Sequence, residues 1–187
     1  MTDTARKRAD FRALHQDGFF LLPNAWDAGS AVRLAKKGFA IITGGSAGIM
    51  QAANKGAFEA GSASVGLNIN LQETQAYNQY LTERFGFDHF FVRKVMLTYA
   101  SEVYVYFPGG FGTLDEFFEI VTLVQTKKIH KVPIILFGKE YWKPLLDFIE
   151  KTLCEERAVI DREDLALYTL VDSVDEAYDY IIANVSC

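Results

Sequence analysis

The feature that most constrains the fold of this chain is a repeated alternation between short apolar runs and segments with helical periodicity. The apolar runs predict strands at residues 19–23, 39–43, 64–69, 102–107 and 133–137, with a short sixth strand near 168–171. The amphipathic segments predict helices at residues 28–37, 49–60, 90–100, 114–127, 141–153 and 174–184. Apolar strands that alternate with helices are typical of an α/β fold, in which helices cover both faces of a parallel sheet. We therefore predict one α/β domain spanning residues 1–187, with residues 1–18 as a loosely attached N-terminal segment.

Residues 70–89 interrupt this alternation. They are polar and aromatic with weak periodicity, and a structureless loop of that length is uncommon in a compact domain. We expect a functional loop or a short helix there.

Charge and cysteine usage narrow the class of protein. The formal net charge of −5 gives no general attraction to nucleic acid or to an anionic membrane. No run of residues approaches the roughly 18 apolar residues of a membrane span, and the N-terminus has no apolar core of a signal peptide. Cys154 and Cys187 form no metal or redox motif, and the three histidines share no metal-ligand spacing, so we expect a cytoplasmic protein without a cofactor.

The stretch "VYVYFPGGFGTLDEFF" (103–118) carries the strongest functional signal. Gly109, Gly110 and Gly112 lie where a predicted strand gives way to a helix, the position at which α/β sheets bind ligands. Glycines permit positive φ and a close approach to a ligand, and a helix N-terminus favours an anion. The segment therefore predicts a phosphate site. The alternative is a glycine-rich turn that only connects strand and helix, since neither a Walker A lysine nor a G-x-G-x-x-G pattern is present.

Two readings are open for the glutamate that follows this loop. Thr113 and Glu116 have the spacing of a capping box, in which the Glu would bond back to the backbone of the cap residue. In the functional reading, Glu116 is a carboxylate close to a bound phosphate and to its sugar.

Two further clusters favour a ligand with several polar ends. Gly44, Gly45 and Gly48 follow the predicted strand 39–43, so a second strand end offers backbone donors and a nucleotide becomes the natural ligand. Arg93 and Lys94 lie amid apolar residues in "FFVRKVMLTYA", where they either snorkel to solvent or contact phosphate.

The motif "PGGFGTLDE" resembles the P-G-G-x-G-T-x-x-E signature of the LONELY GUY family of nucleoside 5′-monophosphate phosphoribohydrolases, many of them labelled possible lysine decarboxylases. The segments "GFAIITGG", "GIMQAANKGAFEAG", "SVGLNI", "FFVRKVM" and "TLVQTKKIHKVPIILFGKEYWKPLL" are similar to bacterial members, in the same order, over residues 31–187. The resemblance implies a Rossmann-like fold, a homodimer, and hydrolysis of AMP or N6-modified, cytokinin-type nucleotides to the free base and ribose 5-phosphate. It does not imply a lysine decarboxylase, because nothing in the sequence marks a pyridoxal-phosphate site.

The family's functional positions transfer to this sequence residue by residue. The resemblance assigns catalysis to Glu116 and Arg93. It assigns substrate binding to further positions: Lys94, Gly109, Gly110, Gly112, Thr113 and Thr122, beside the glycines Gly44 and Gly45. The alternative function is a non-catalytic Rossmann-like protein that binds a nucleotide or another phosphorylated ligand.

The sequence departs from the family pattern in two places. The family commonly reads G-G-G-P-G-I-M-E after its second strand, whereas residues 44–51 read "GGSAGIMQ". Residues 10–40 resemble the opening of the isocitrate lyase/phosphoenolpyruvate mutase superfamily, a barrel far longer than this chain. These departures favour the alternative of ligand binding without turnover, whereas the presence of Arg93, Lys94 and Glu116 favours the enzyme.

Overall fold

A computed structural model of the chain describes residues 20–21, 32–34, 36, 38–70, 76–99 and 101–185. The chain divides into two compact units, the first ending at Glu102 and the second beginning at Val103. Each unit contains a parallel sheet and helices, so the predicted Rossmann-like α/β class is confirmed. The single domain over residues 1–187 stays a prediction, and the predicted N-terminal segment 1–18 lies outside the described residues.

The first unit is built on a four-stranded parallel sheet. Its strands lie side by side in chain order: β1 (Phe20–Leu21), β2 (Ala40–Thr43), β3 (Ser64–Ile69) and β4 (Glu83–Phe87). Helix α1 (Ile49–Glu59) connects β2 to β3, and helix α2 (Phe90–Tyr99) follows β4. Every residue of β2 and β3 is buried, as expected for central strands covered on both faces.

Strand β4 corrects the prediction of a loop or short helix over residues 70–89. Residues 83–87 pair with β3 in parallel over five positions. The strand has a described partner on one side only, and its residues alternate between half-buried and exposed. Such a half-exposed strand carries charge and a glycine, so its apolar content is too low for the strand pattern to appear in the sequence. Residues 71–75 lie outside the described residues.

The second unit is built on a three-stranded parallel sheet, with the strands again in chain order. They are β5 (Tyr104–Tyr106), β6 (Ile134–Phe137) and β7 (Thr169–Val171). The helices of the unit are α3 (Phe111–Gln125), α4 (Lys139–Phe148) and α5 (Val174–Asn184), with a π-helical segment at Ile149–Glu156 and a 3₁₀ turn at Arg162–Ala166. The predicted helix 141–153 is therefore two segments, the α-helix and the π-helical segment that continues it.

An aromatic cluster fixes α3 in this unit. Phe117 is fully buried, and its ring lies 5.6 Å from that of Tyr106, 5.4 Å from that of Trp142 and 5.7 Å from that of Tyr168. Rings at these separations contribute about 0.5–1.5 kcal/mol per pair beyond the area they bury. The cluster joins β5, α3, α4 and the chain before β7, so it sets the rotation of α3 about its axis.

Candidate functional site

The loop after β2 requires glycine for two separate reasons. Gly45 has a φ of 76°, and a β-carbon there would lie 3.1 Å from the Cα of Gly66. Its N–H donates to Thr43 Oγ1 at 2.9 Å, and its carbonyl accepts from the N–H of Asn78 at 2.8 Å. Gly48, just before α1, also has a φ of 76°. The second glycine cluster is therefore a tightly specified turn at the carboxyl end of β2.

A buried polar network lies behind this turn and was not predicted from the sequence. Thr43 Oγ1 donates to Asn54 Oδ1 at 2.6 Å, Asn54 Nδ2 donates to Ser64 Oγ at 2.9 Å, and Asn78 Nδ2 donates to Asn54 Oδ1 at 2.9 Å. Buried polar groups persist in proteins when they are hydrogen-bonded in this way. The signal that could have revealed it is Asn54, an amide on the face of α1 that turns Ala53 and Ala57 to the core.

Arg93 is anchored at the carboxyl edge of the same sheet. Its Nε donates to the carbonyl of Leu67 at 2.8 Å, and Leu67 lies one residue beyond the last β2–β3 pair, Thr43 with Gly66. A β-carbon on Gly44 would come within 2.9 Å of Arg93 Nη2. The structure thus brings Arg93 and Gly44 together, and the snorkelling reading does not describe Arg93. Lys94 follows it in α2 and is half-buried.

The glycine loop of the second unit leads into α3 earlier than predicted. The helix begins at Phe111 rather than Leu114, and Gly110 is its N-cap, with no side-chain hydrogen bond. Thr113 is therefore the third residue of the helix, so the capping-box reading of Thr113 and Glu116 is wrong. Because the cap residue has no side chain, no side-chain oxygen from that position competes for the first-turn N–H groups, of which that of Thr113 donates to the Gly110 carbonyl at 3.1 Å. Such a helix start can accept an anion.

Space requires glycine at Gly109 alone, and no glycine of this loop has an unusual φ. Gly110 has a φ of −96°, and Gly109 and Gly112 are not among the positive-φ residues, so the expectation of positive φ is wrong for all three. The Thr113 hydroxyl occupies the place of a β-carbon on Gly109. Around Gly110 and Gly112 an added β-carbon would meet nothing within 4 Å, and all three glycines are exposed. The loop can therefore be reached closely by a ligand.

Two contacts from the junction of β6 and α4 hold this loop in place. The Tyr141 hydroxyl donates to the Gly109 carbonyl at 2.6 Å. Gly138 has a φ of 97°, and a β-carbon added to it would lie 3.5 Å from Pro108 Cγ. Tyr141 was not among the predicted site residues, and a tyrosine beside a core tryptophan gives no signal of this contact.

Glu116 lies in the second turn of α3 and is half-buried. Its backbone carbonyl accepts a hydrogen bond from the Tyr106 hydroxyl at 3.0 Å. The pKa of Tyr106 is raised well above its ordinary value, first by burial and then by the negative charge of Glu116. The neighbouring Asp115 is exposed, as expected for residues that helical geometry sends in different directions.

Thr122 lies on α3 six residues after Glu116, which is about 120° round the helix from it. It is exposed, and its carbonyl accepts from the N–H and hydroxyl of Thr126. Its assignment to substrate binding stays a prediction.

No group of histidine, cysteine, aspartate or glutamate side chains among the described residues could hold a metal ion. Within the same part of the chain, no helix combines the length and the apolar character needed to cross a membrane.

Comparison with known sequences matches this chain to one family model and to curated relatives. Residues 50–181 match the family model described as possible lysine decarboxylase. A cytokinin riboside 5′-monophosphate phosphoribohydrolase of Rhodococcoides fascians is 28% identical over 128 residues, covering 65% of this chain and 63% of the relative. An enzyme of the same name from Arabidopsis thaliana is 31% identical over 117 residues, covering 62% of this chain and 54% of the relative. The matched region thus spans less than two thirds of these relatives.

Solved structures agree on the fold. A protein solved by X-ray crystallography as a structural-genomics target is 27% identical, with a TM-score of 0.61 over 83% of this chain and 85% of that chain. The molybdenum cofactor binding protein of Rippkaea orientalis, 17% identical, gives a TM-score of 0.62 over 90% of this chain and 98% of that chain. At that identity the second likeness concerns the fold alone.

Proposed function

This chain belongs to the possible lysine decarboxylase family, the family of the LONELY GUY phosphoribohydrolases, and we propose that it hydrolyses nucleoside 5′-monophosphates. The substrates are AMP or its N6-modified, cytokinin-type derivatives, and the products are the free base and ribose 5-phosphate. The observation that carries the proposal is the start of α3, where an exposed glycine loop without a side-chain cap leads to the half-buried Glu116.

The phosphate of the substrate is assigned to the loop of Gly109, Gly110, Gly112 and Thr113. Backbone N–H groups at a helix N-terminus favour an anion through their partial positive charge, and open space around Gly110 and Gly112 allows close contact. Lys94 and the backbone of Gly44 and Gly45 are assigned to further polar parts of the substrate.

Glu116 is assigned the chemical step. Cleavage of an N-glycosidic bond builds positive charge on the ribose, which a carboxylate stabilises while it takes a proton from the attacking water. The water oxygen bonds to the anomeric carbon, and the base leaves with the electron pair of the broken bond and a proton. Arg93 orients the substrate, and its attachment to the Leu67 carbonyl restricts the guanidinium before the substrate arrives.

Replacing Glu116 with Gln tests this proposal. We expect base release from AMP to fall by at least ~100-fold, since general-base catalysis is typically worth about 10²–10⁴-fold. Binding of AMP should be largely kept, because the backbone donors of the loop are unchanged. The measurement is chromatography of the base released from AMP, GMP, CMP, UMP and N6-isopentenyl-AMP.

The matched control is Asp115→Asn, which removes a neighbouring, exposed carboxylate and should leave turnover unchanged. Full turnover in Glu116→Gln would contradict the assignment. AMP binding without base release in the unaltered protein would instead establish the alternative of a binding protein without turnover.

We further propose that the protein is a homodimer of the cytoplasm. The dimer is supported by α2, in which Phe91, Val95 and Tyr99 follow one another at four-residue spacing and are 67%, 55% and 84% exposed. Residues four apart share a helix face, and a stripe of exposed apolar side chains is typical of an interface. The cytoplasmic location rests on the wide separation of the two cysteines.

A further inference from the structure

Asn68, in β3, has a buried amide that lacks a partner. The residue is 3% exposed, and its Nδ2 has no hydrogen-bond partner among the described residues. The other buried polar side chains of this unit are all paired, namely Thr43, Asn54, Ser64, Asn78 and Ser101. A native structure that satisfies its other buried side chains but leaves one donor open calls for an explanation.

The space around this amide is framed by glycines. Side chains alternate along a strand, so Asn68 shares its face of β3 with Gly66 and Asn70, and its register partner on β4 is Gly86. A β-carbon on Gly66 would meet Leu81 Cδ1 at 2.6 Å, and one on Gly86 would meet the Tyr77 hydroxyl at 3.1 Å. Without glycine at these positions, the covering side chains could not approach the strand.

Tyr77 lies over β3 on the side of the sheet that Asn68 faces. A β-carbon added to Gly45, which follows β2, would lie 3.5 Å from Tyr77 Cδ1. The Tyr77 hydroxyl lies near Gly86 on β4. Because β3 runs between β2 and β4, the ring crosses over β3 at the level of Asn68. Tyr77 is half-buried and is held by packing, so rotation of one side chain would uncover the donor.

Charges of both signs lie near Asn68, and together they favour a ligand group without net charge: Arg93 bonds to the carbonyl of the preceding residue, Leu67, and a carboxylate lies on the other side. Asn70, the next residue on this face, donates from Nδ2 to Asp88 Oδ1 at 2.8 Å. A carboxylate at this place repels a phosphate, whereas an uncharged acceptor is tolerated. An amide N–H₂ donor under an aromatic ring suits a ring nitrogen or carbonyl of a planar heterocycle.

We propose that Asn68 reads the base of the substrate: its Nδ2 donates to an acceptor atom of the nucleobase, which displaces Tyr77 from its place over β3. This inference rests on the proposed function and deepens it, because it assigns base recognition to a residue that neither the glycine loop nor Arg93 supplies. The donor has no partner in the free protein. A base that accepts its hydrogen bond should therefore bind more tightly than a base that cannot.

The test compares AMP with ribose 5-phosphate, which shares its sugar and phosphate but lacks the base. Affinities are measured by calorimetry in the Glu116→Gln protein, so that AMP is not consumed. We expect AMP to bind more tightly than ribose 5-phosphate. Asn68→Ala should weaken AMP binding about 3- to 10-fold, as expected for the loss of one neutral hydrogen bond. The affinity for ribose 5-phosphate should not change.

Two further variants separate recognition from structure. Asn68→Leu replaces the open amide with an apolar side chain of similar size. Without ligand, its melting temperature should equal or exceed that of the Glu116→Gln protein. Its preference for AMP over ribose 5-phosphate should fall. Asn70→Ala removes an amide that already has a partner, and it should keep the preference for AMP.

The outcomes are distinct. If Asn68→Ala lost affinity for both ligands equally, or if Asn68→Leu had a lower melting temperature, Asn68 would have a structural role and the inference would be overturned. Unchanged AMP affinity in both Asn68 variants would overturn it as well, and the proposed function would stand. If the parent protein binds neither AMP nor ribose 5-phosphate, the proposed function fails and base recognition fails with it.

Discussion

At the scale of the single residue, position in the fold decides what an ordinary side chain does. Arg93 is charged and lies on a helix rich in apolar residues, yet its Nε donates to the carbonyl of Leu67, one residue beyond the last β2–β3 pair. Its guanidinium is therefore already restricted in the free protein. Restriction of this kind lowers the entropy lost when a substrate binds.

Tyr106 gives a prediction for the dependence of stability on pH. Burial and the Glu116 carboxylate raise its pKa in the folded protein above the ordinary value of 10.0. The stability that this provides is fully present below about pH 10 and is lost as the pH rises through the folded-state pKa, because the unfolded chain releases the proton first. We therefore expect Tyr106→Phe to flatten the fall in stability above about pH 10.

Urea unfolding at a series of alkaline pH values measures this effect. Near neutral pH the same variant should cost about 0.5–1.5 kcal/mol, since it loses the hydrogen bond to the Glu116 carbonyl. Tyr168→Phe should also flatten the curve, because burial raises the pKa of Tyr168. An alkaline slope unchanged by both substitutions would refute the assignment.

At the level of the secondary-structure element, the start of α3 has to meet two requirements, the stability of the helix end and the binding of an anion. Its cap has no side chain that could bond to the first-turn N–H groups, and the Gly109 carbonyl before it accepts a hydrogen bond from Tyr141. The element is thus less stable at its end than a helix capped by Ser or Asp, in exchange for a surface that can receive an anion.

Gly110→Asp should separate these two requirements. The carboxylate can cap the helix from this position, whose φ is −96°, and should raise stability by a few tenths of a kcal/mol. It should also weaken binding of ribose 5-phosphate by ~10-fold or more, since it occupies the same N–H groups and repels the anion. Thermal unfolding and calorimetry measure the two effects.

The matched control is Gly110→Ala. An alanine β-carbon meets no protein atom within 4 Å at this position and carries no charge, so Gly110→Ala should weaken phosphate binding much less than Gly110→Asp. Equal binding by Gly110→Asp and the unaltered protein would show that the anion does not bind at this helix start.

Elements with a full apolar pattern were predictable from the sequence, and the others were not. Residues 64–69 and 174–184 were predicted with the bounds that the structure has, because each combines a continuous pattern with clear ends. Strand β4 was missed because its exposed side carries charge, and α3 starts three residues early because glycines can be helical when the chain before them is fixed by tertiary contacts. In the site, motif positions such as Glu116 could be named in advance, whereas Tyr141 and Asn54 act through contacts that have no local pattern.

At the scale of the whole molecule, the exposed stripe of α2 gives a prediction about assembly. We expect Val95→Glu to convert a dimer into a monomer, since it places a charge at the centre of the apolar stripe. Light scattering should give twice the chain mass of 21.0 kDa for the unaltered protein and 21.0 kDa for the variant.

Phe58→Glu is the matched control, because Phe58 is an apolar residue of α1 that is 49% exposed and lies outside the stripe. It should leave the mass unchanged. A dimer that persists in Val95→Glu, or a monomer in the unaltered protein, would contradict this placement of the interface.

The buried network around Asn54 also has a consequence for the order in which the first unit folds. Asn78 bonds to the carbonyl of Gly45 across 33 positions of the chain and to Asn54 across 24. Contacts between such distant residues close large loops and form slowly compared with the helices they join. The turn after β2 therefore acquires its final shape only when the segment around Asn78 has docked, late on the folding pathway. A nascent chain that has made β2 and α1 would carry the glycines of this turn but not yet their binding geometry.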